Sequence, residues 1–260
     1  MPLDAEPAAD GAGPRDRLRV QVLGPAVVTG AAQEPQPKQA ELVIALALHT
    51  PPGLSGSALA TMLGRDPDHP KPRDILRQLI TRTRRRLGGL GDGGEYIRYQ
   101  DGRYTLTGAW LDWAAFTALA RRGGQAGGRA ELRAALSLVR GELFGGVYFW
   151  WLEETPTMLD AMRAAVTDTA ALLAQLELGA GDPAASAWAA RAGLAADPLS
   201  EPLWRAVMAA EAAAGNTAGM HRAWQRLCSA IADITPGGLP HPDTVALYHE
   251  LTRERVTGRR

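Results

Sequence analysis

The sequence predicts a mainly α chain with a small β component in its first half, and three observations predict it. Apolar residues recur at three- and four-residue steps in Lys38–His49, in Lys71–Gly88 and through most of the chain after Trp110. Apolar alternation occurs only around Leu18–Thr29 and Glu95–Leu106. After Trp110 one helical pattern follows another, and a loop signal returns after 34 residues.

Met1–Pro14, MPLDAEPAADGAGP, has no periodicity and is expected to be a disordered leader. Such an opening is also what a piece of a longer polypeptide would have. Leu18, Val20 and Val22 alternate, Gly24-Pro25 turns the chain, and Val27-Val28 resume, which predicts two short strands. Lys38–His49 is apolar nearly all round and is expected to be a buried helix, with His49 as a cap or core residue and Pro51-Pro52-Gly53 as its stop. Ser55 is placed to cap a short helix, Gly56–Leu63, closed by Gly64. A proline-punctuated connector, Arg65–Pro72, leads to the next helix.

That helix, KPRDILRQLITRTRRRLG, has two faces. Leu76, Leu79, Ile80, Thr83 and Leu87 form the apolar stripe. Arg73, Arg77, Gln78, Thr81, Arg82 and Arg85 lie opposite, with Arg84 and Arg86 on the flanks. Guanidinium groups suit phosphates and guanine edges because their planar donors engage two acceptors at once. Past a GDGG turn, Ile97 and Tyr99 alternate before Asp101-Gly102, and Tyr104 and Leu106 alternate after it, predicting a hairpin with Arg98 and Arg103 astride its tip. Strands, three helices with a basic third one, then a hairpin is the order of a winged helix-turn-helix. In that arrangement the third helix fits a major groove and the hairpin tip reaches the backbone.

The second half is expected to be all-helical: Asp112–Ala120, Arg129–Arg140, Thr155-Pro156 to Leu178, Ala184–Ala196, Ser200–Ala214, Ala218–Asp233 and Pro242–Leu251. Gly181-Asp182-Pro183 returns as Gly215-Asn216-Thr217, and helix pairs at that period mark tetratricopeptide (TPR)-like units. Ala174 and Ser186 fall where helices must approach closely. Trp188, Trp204 and Trp224 lie on these helices, where large aromatics usually fill a core.

The net charge is zero, yet Arg15–Gly108 holds 14 Lys and Arg against 9 Asp and Glu, whereas the remainder after Ala109 holds 14 against 16. The basic excess points the first half toward a polyanion. A single cysteine, Cys228, excludes an intramolecular disulfide and a cysteine-rich metal site. No 18-residue uncharged apolar run and no signal-type N-terminus is present, so a cytoplasmic protein is expected. His49, His69, His221, His241 and His249 do not combine with a nucleophile, paired carboxylates or a metal-ligand spacing, so no enzyme, metal or cofactor is expected.

The chain resembles the actinobacterial regulators that join a winged helix to a bacterial transcriptional activator domain, the Streptomyces antibiotic regulatory protein class. The resemblance runs from Leu18 to Leu251 and rests on LRVQVLGP, KQAELVIALALH, ITRTRRRLG, DGRYTL, LVRGELF, ADPLSEPLWRAVMAAEAAAGN and HPDTVALYHELT in that order. It implies a regulator that activates genes by binding promoter repeats in double-stranded DNA, contacts RNA polymerase, and self-associates through its helical half. The domains then expected are a leader at 1–14, a winged helix at 15–108, a TPR-like activator domain at 109–252 and a frayed tail at 253–260.

From helix phase, Arg77, Gln78, Thr81 and Arg82 are expected at base edges, Arg73, Arg85, Arg98 and Arg103 at phosphates, and Arg84 among the DNA-facing cations. Asp74 stands where relatives favour Asn. Together with the modest net charge, it supports an alternative: a protein-interaction module with a degenerate winged helix, the C-terminal part of a larger multidomain signalling or membrane protein.

Overall fold

A computed structural model of the chain describes residues 17–64, 72–91 and 93–257, the side chains of residues 72, 73, 126 and 254–257 aside. The leader, the connector before the basic helix, the Arg73 side chain and the last three residues of the tail lie outside the described residues. The chain forms two compact units, residues 1–115 with 143–159, and residues 116–142 with 160–260.

In the first unit β1 (Arg19–Gln21) pairs antiparallel with β2 (Val27–Thr29) around Gly24-Pro25. Helix α1 (Pro37–Leu48) buries Leu42, Val43, Ile44, Ala45 and Leu46. His49 caps it through Nδ1–H donation to the Ala45 carbonyl at 2.8 Å. Strand β3 (Leu54–Ser55) leads into α2 (Gly56–Met62), where Ser55 Oγ accepts from the Ala58 amide at 3.2 Å. Helix α3 (Pro72–Leu87) is the basic helix. The hairpin β4 (Ile97–Gln100) and β5 (Arg103–Leu106) turns at Asp101 and Gly102, whose φ of 52° and 77° meet the type I′ requirement for positive φ at both central residues.

Two features went unforeseen. Strand β3 extends the hairpin into a sheet of order β3-β5-β4. Gly53 sits against it so closely that a Cβ would lie 2.5 Å from the Tyr104 carbonyl oxygen, and its φ of 87° also demands glycine. In addition, β6 (Trp110–Leu111) pairs parallel with β1, giving the order β2-β1-β6. Two residues are too few for a period to be read, so the all-helical reading from Trp110 onward is corrected here. The residue after β6, Asp112, is fully buried, and its carboxylate accepts the Val22 and Leu23 amides at 2.9–3.0 Å.

Residues 143–159 complete this unit. Phe144 and Gly145 amides donate to the Val22 and Gly24 carbonyls at 2.9 and 3.0 Å, and Gly145 accepts from Ala26 at 3.1 Å. Helix α6 (Trp150–Glu154) brings in Trp151, which is buried and stacked on Phe149 at 5.5 Å between ring centroids.

The second unit is helical. Helix α4 (Asp112–Ala126) runs six residues past its expected end at Ala120, and its buried Gly123 leaves room for Leu132, whose Cγ would lie 2.7 Å from an added Cβ. Helix α5 (Arg129–Leu136) is shorter than expected, and tight turns at Leu138 and Val139 replace its last residues. Then come α7 (Pro156–Gly179), α8 (Pro183–Leu194), α9 (Glu201–Ala213), α10 (Thr217–Ile234) and α11 (Pro242–Thr257), with α9 against α8, α10 and α11. Helix α11 runs six residues past Leu251, through a stretch rich in the good helix formers Arg and Glu.

The 34-residue repeat is built into the backbone. Gly181 and Gly215 have φ of 80° and 78°. The amides of Asp182 and Asn216 donate to the carbonyls of Glu177 and Glu211 at 2.9 and 2.8 Å. Their side chains then cap the next helix by accepting from Ala185 and Gly219 at 2.9 and 3.0 Å. Ala174 and Ser186 are both buried.

Candidate nucleic-acid interface

Helix α3 divides as an amphipathic helix must. Leu76, Ile80, Thr83 and Leu87 are buried and Leu79 is half-buried. Thr83 tolerates full burial because its hydroxyl donates to the Leu79 carbonyl at 2.8 Å. The opposite face presents Asp74, Arg77, Gln78, Thr81, Arg82 and Arg85, all exposed. Among the described residues, no hydrogen bond or ion pair engages the side chains of Arg77, Gln78, Arg82 or Arg85. Thr81 donates its hydroxyl proton to the Arg77 carbonyl at 2.8 Å, which leaves its oxygen outward as an acceptor.

The flanking cations are held by the protein itself. Arg84 is half-buried; its Nε donates to the Ile97 carbonyl at 3.1 Å and lies 3.2 Å from a Glu95 carboxylate oxygen. It braces α3 against the start of the hairpin. Arg86 donates to the Glu34 carbonyl at 2.9 Å, and the Gln33 and Ala32 amides return bonds to Arg86 and Leu87. At the hairpin tip Arg98 is exposed, while Arg103 donates to the Gly53 carbonyl at 3.0 Å. Tyr99 is 59% exposed and rests on Tyr104 at 4.6 Å between ring centroids, an aromatic surface at the hairpin that sequence reading did not single out.

The structure therefore gathers Arg77, Gln78, Thr81, Arg82 and Arg85 on one face and sets Arg98 on the hairpin. Arg84 and Arg103 differ from these in having backbone carbonyls as partners, a distinction that helix phase and strand alternation do not carry.

A basic helix with a free polar face, beside a hairpin and followed by 34-residue helical repeats, is an arrangement that comparison with known proteins can place. The family model described as bacterial transcriptional activator domain matches residues 111–252. The chain belongs to that family. Bacterial transcriptional activator domain proteins are regulators of transcription, which agrees with the resemblance read from the sequence. No curated protein matches the chain.

Among solved structures, the fold is similar to that of Mycobacterium tuberculosis EmbR in complex with a low-affinity phosphopeptide, with a TM-score of 0.64 and 23% identity. The match covers 92% of this chain and 65% of that one, so this chain spans less than two thirds of EmbR's length. Among the described residues, no helix is long and apolar enough to cross a membrane, and no group of three or more His, Cys, Asp or Glu converges as a metal site would need.

Proposed function

We propose that the chain is a DNA-binding transcriptional activator that reads a promoter repeat with α3 and the β4–β5 hairpin. The supporting observation is the exposed face of Arg77, Gln78, Thr81, Arg82 and Arg85, whose Arg and Gln side chains have no partner among the described residues, on a helix whose other face is anchored in a core. Helix α3 lies in the major groove. Arg77 and Arg82 present forked donors to guanine edges, and Gln78 presents an amide suited to adenine. Thr81 offers its outward oxygen to a base-edge donor. Arg73, Arg85 and Arg98 take phosphates, and the braced Arg84 and Arg103 add positive potential nearby. In this reading residues 15–108 bind DNA in the cytoplasm. Residues 109–252 serve for self-association or contact with RNA polymerase.

The second reading is a protein-interaction module with a degenerate winged helix, in a larger protein. Asp74 favours it: an exposed carboxylate on the same face as Arg77 and Gln78 repels phosphate.

The deciding experiment is fluorescence anisotropy of the chain on a pool of genomic promoter fragments across a salt series, beside an Arg77→Ala/Arg82→Ala variant. DNA binding predicts micromolar or tighter affinity that falls steeply with salt, and loss of affinity or of sequence selectivity in the variant. No binding at low salt removes the regulator reading and leaves the interaction module.

A further inference from the structure

The repeat builds the same joint twice, and the two copies are filled differently. In the first, Glu177 is buried and accepts from Arg129 and Arg133 at 2.9 and 2.8 Å. The Arg133 guanidinium then lies 5.5 Å above the ring of Trp188, so cation and aromatic close the joint. In the second, Glu211, 34 residues on, is engaged by Arg191 and by the Asn216 amide. The residue 34 positions after Trp188 is Arg222. Where the first joint holds an aromatic beneath its arginine, the second holds another cation. A groove of about 330 Å³ stays open there.

Its lining is specific. Arg222 and Arg226 stand one turn apart on α10, both exposed. Among the described residues neither has an acidic partner, and the one carboxylate in the groove, Glu211, is already engaged. Two like charges at that spacing repel each other along the helix. The floor is Leu194 and Val207, and the wall is the half-exposed Trp204 ring, held in place by Nε1–H donation to the Pro198 carbonyl at 2.8 Å.

We propose that this groove binds an acidic peptide segment of a partner protein. Carboxylate side chains of the segment take the Arg222 and Arg226 forks, and an apolar side chain between them covers Trp204 and Val207. Charge complementarity selects the occupant: Arg191 and Glu211 answer each other, and Arg222 and Arg226 remain as two guanidinium groups with no acidic partner among the described residues. The apolar floor selects a peptide over an inorganic anion, which would leave Leu194, Trp204 and Val207 uncovered. This site shares no residue with α3, and the proposal does not depend on DNA binding.

The test uses the full chain and a fluorescein-labelled decapeptide of alternating Asp and Leu, read by anisotropy. The expected result is saturable binding, displaced by the unlabelled peptide and not by its Asn–Leu counterpart. Arg222→Trp rebuilds the closed first joint and should weaken binding about tenfold or more, and Arg226→Ala should do the same at an exposed position where folding is not at stake. Arg222→Lys/Arg226→Lys should retain part of the affinity, since charge remains and the fork is lost. Three results would overturn the proposal. They are no saturable binding, unchanged binding in Arg226→Ala, and displacement by duplex DNA or inorganic phosphate as effective as by the peptide at equal charge.

Discussion

Replacing Asp112 by alanine should unsettle the first unit more than any exposed substitution on α3. Its two carboxylate oxygens lie 2.9 Å from the Val22 amide nitrogen, and one lies 3.0 Å from that of Leu23. Asp112, Val22 and Leu23 are all fully buried. Alanine would leave two buried N–H groups without this acceptor, and an orphaned buried donor costs about 1–3 kcal/mol. Asp112 also opens α4, where a carboxylate gains a further ~0.3–1 kcal/mol from the helix dipole.

Partial relaxation and water entry put the total at about 2–4 kcal/mol, or a fall in Tm of roughly 5–15 °C for a chain of this size. Asp112→Asn keeps the shape and one acceptor oxygen but turns an NH2 group toward an amide, so about half of that loss is expected. Thermal melts by circular dichroism give the loss, and faster hydrogen exchange at Val22 and Leu23 locates it. An alanine variant within about 0.5 kcal/mol of the parent, the range of an ordinary surface change, would refute the reasoning.

Three other outcomes are expected. Gly193→Ala should lower stability by about 1–3 kcal/mol, because its Cβ would lie 2.5 Å from Leu203 Cδ1 and 2.6 Å from the Ala170 Cβ; a rise in Tm would mean that helix propensity outweighs the clash. Arg84→Ala should cost about 1–2 kcal/mol through its bond to Ile97, whereas Arg82→Ala should leave Tm nearly unchanged; equal Tm values for the two would contradict the division between braced and outward-facing arginines. Burial pushes the Cys228 thiol above its ordinary pKa, so the thiolate fraction at pH 8 is reduced. Iodoacetamide should therefore alkylate it more slowly than free cysteine, faster as pH rises, and at the free rate in urea; a free-thiol rate in the native chain would count against this.

What the sequence by itself determined is what a few neighbouring residues determine. The Asp101-Gly102 turn, the Ser55 cap, the paired loops at Gly181 and Gly215 and the phase of α3 depend on backbone preferences and hydrogen bonds spanning two to five residues. So the winged-helix order, the helical repeats and the face carrying Arg77, Gln78, Thr81, Arg82 and Arg85 could be read directly. Tertiary structure alone decided which buried groups meet across long stretches of chain. It brought Asp112 to the amides of β1's end, paired Trp110–Leu111 with β1, returned Phe144 and Gly145 to the Gly24 turn, and tied Arg84 and Arg103 to backbone carbonyls. A periodicity says which way a side chain points. Whether it ends on water, a base or a carbonyl depends on what the folded chain leaves unsatisfied beside it, and no local pattern carries that.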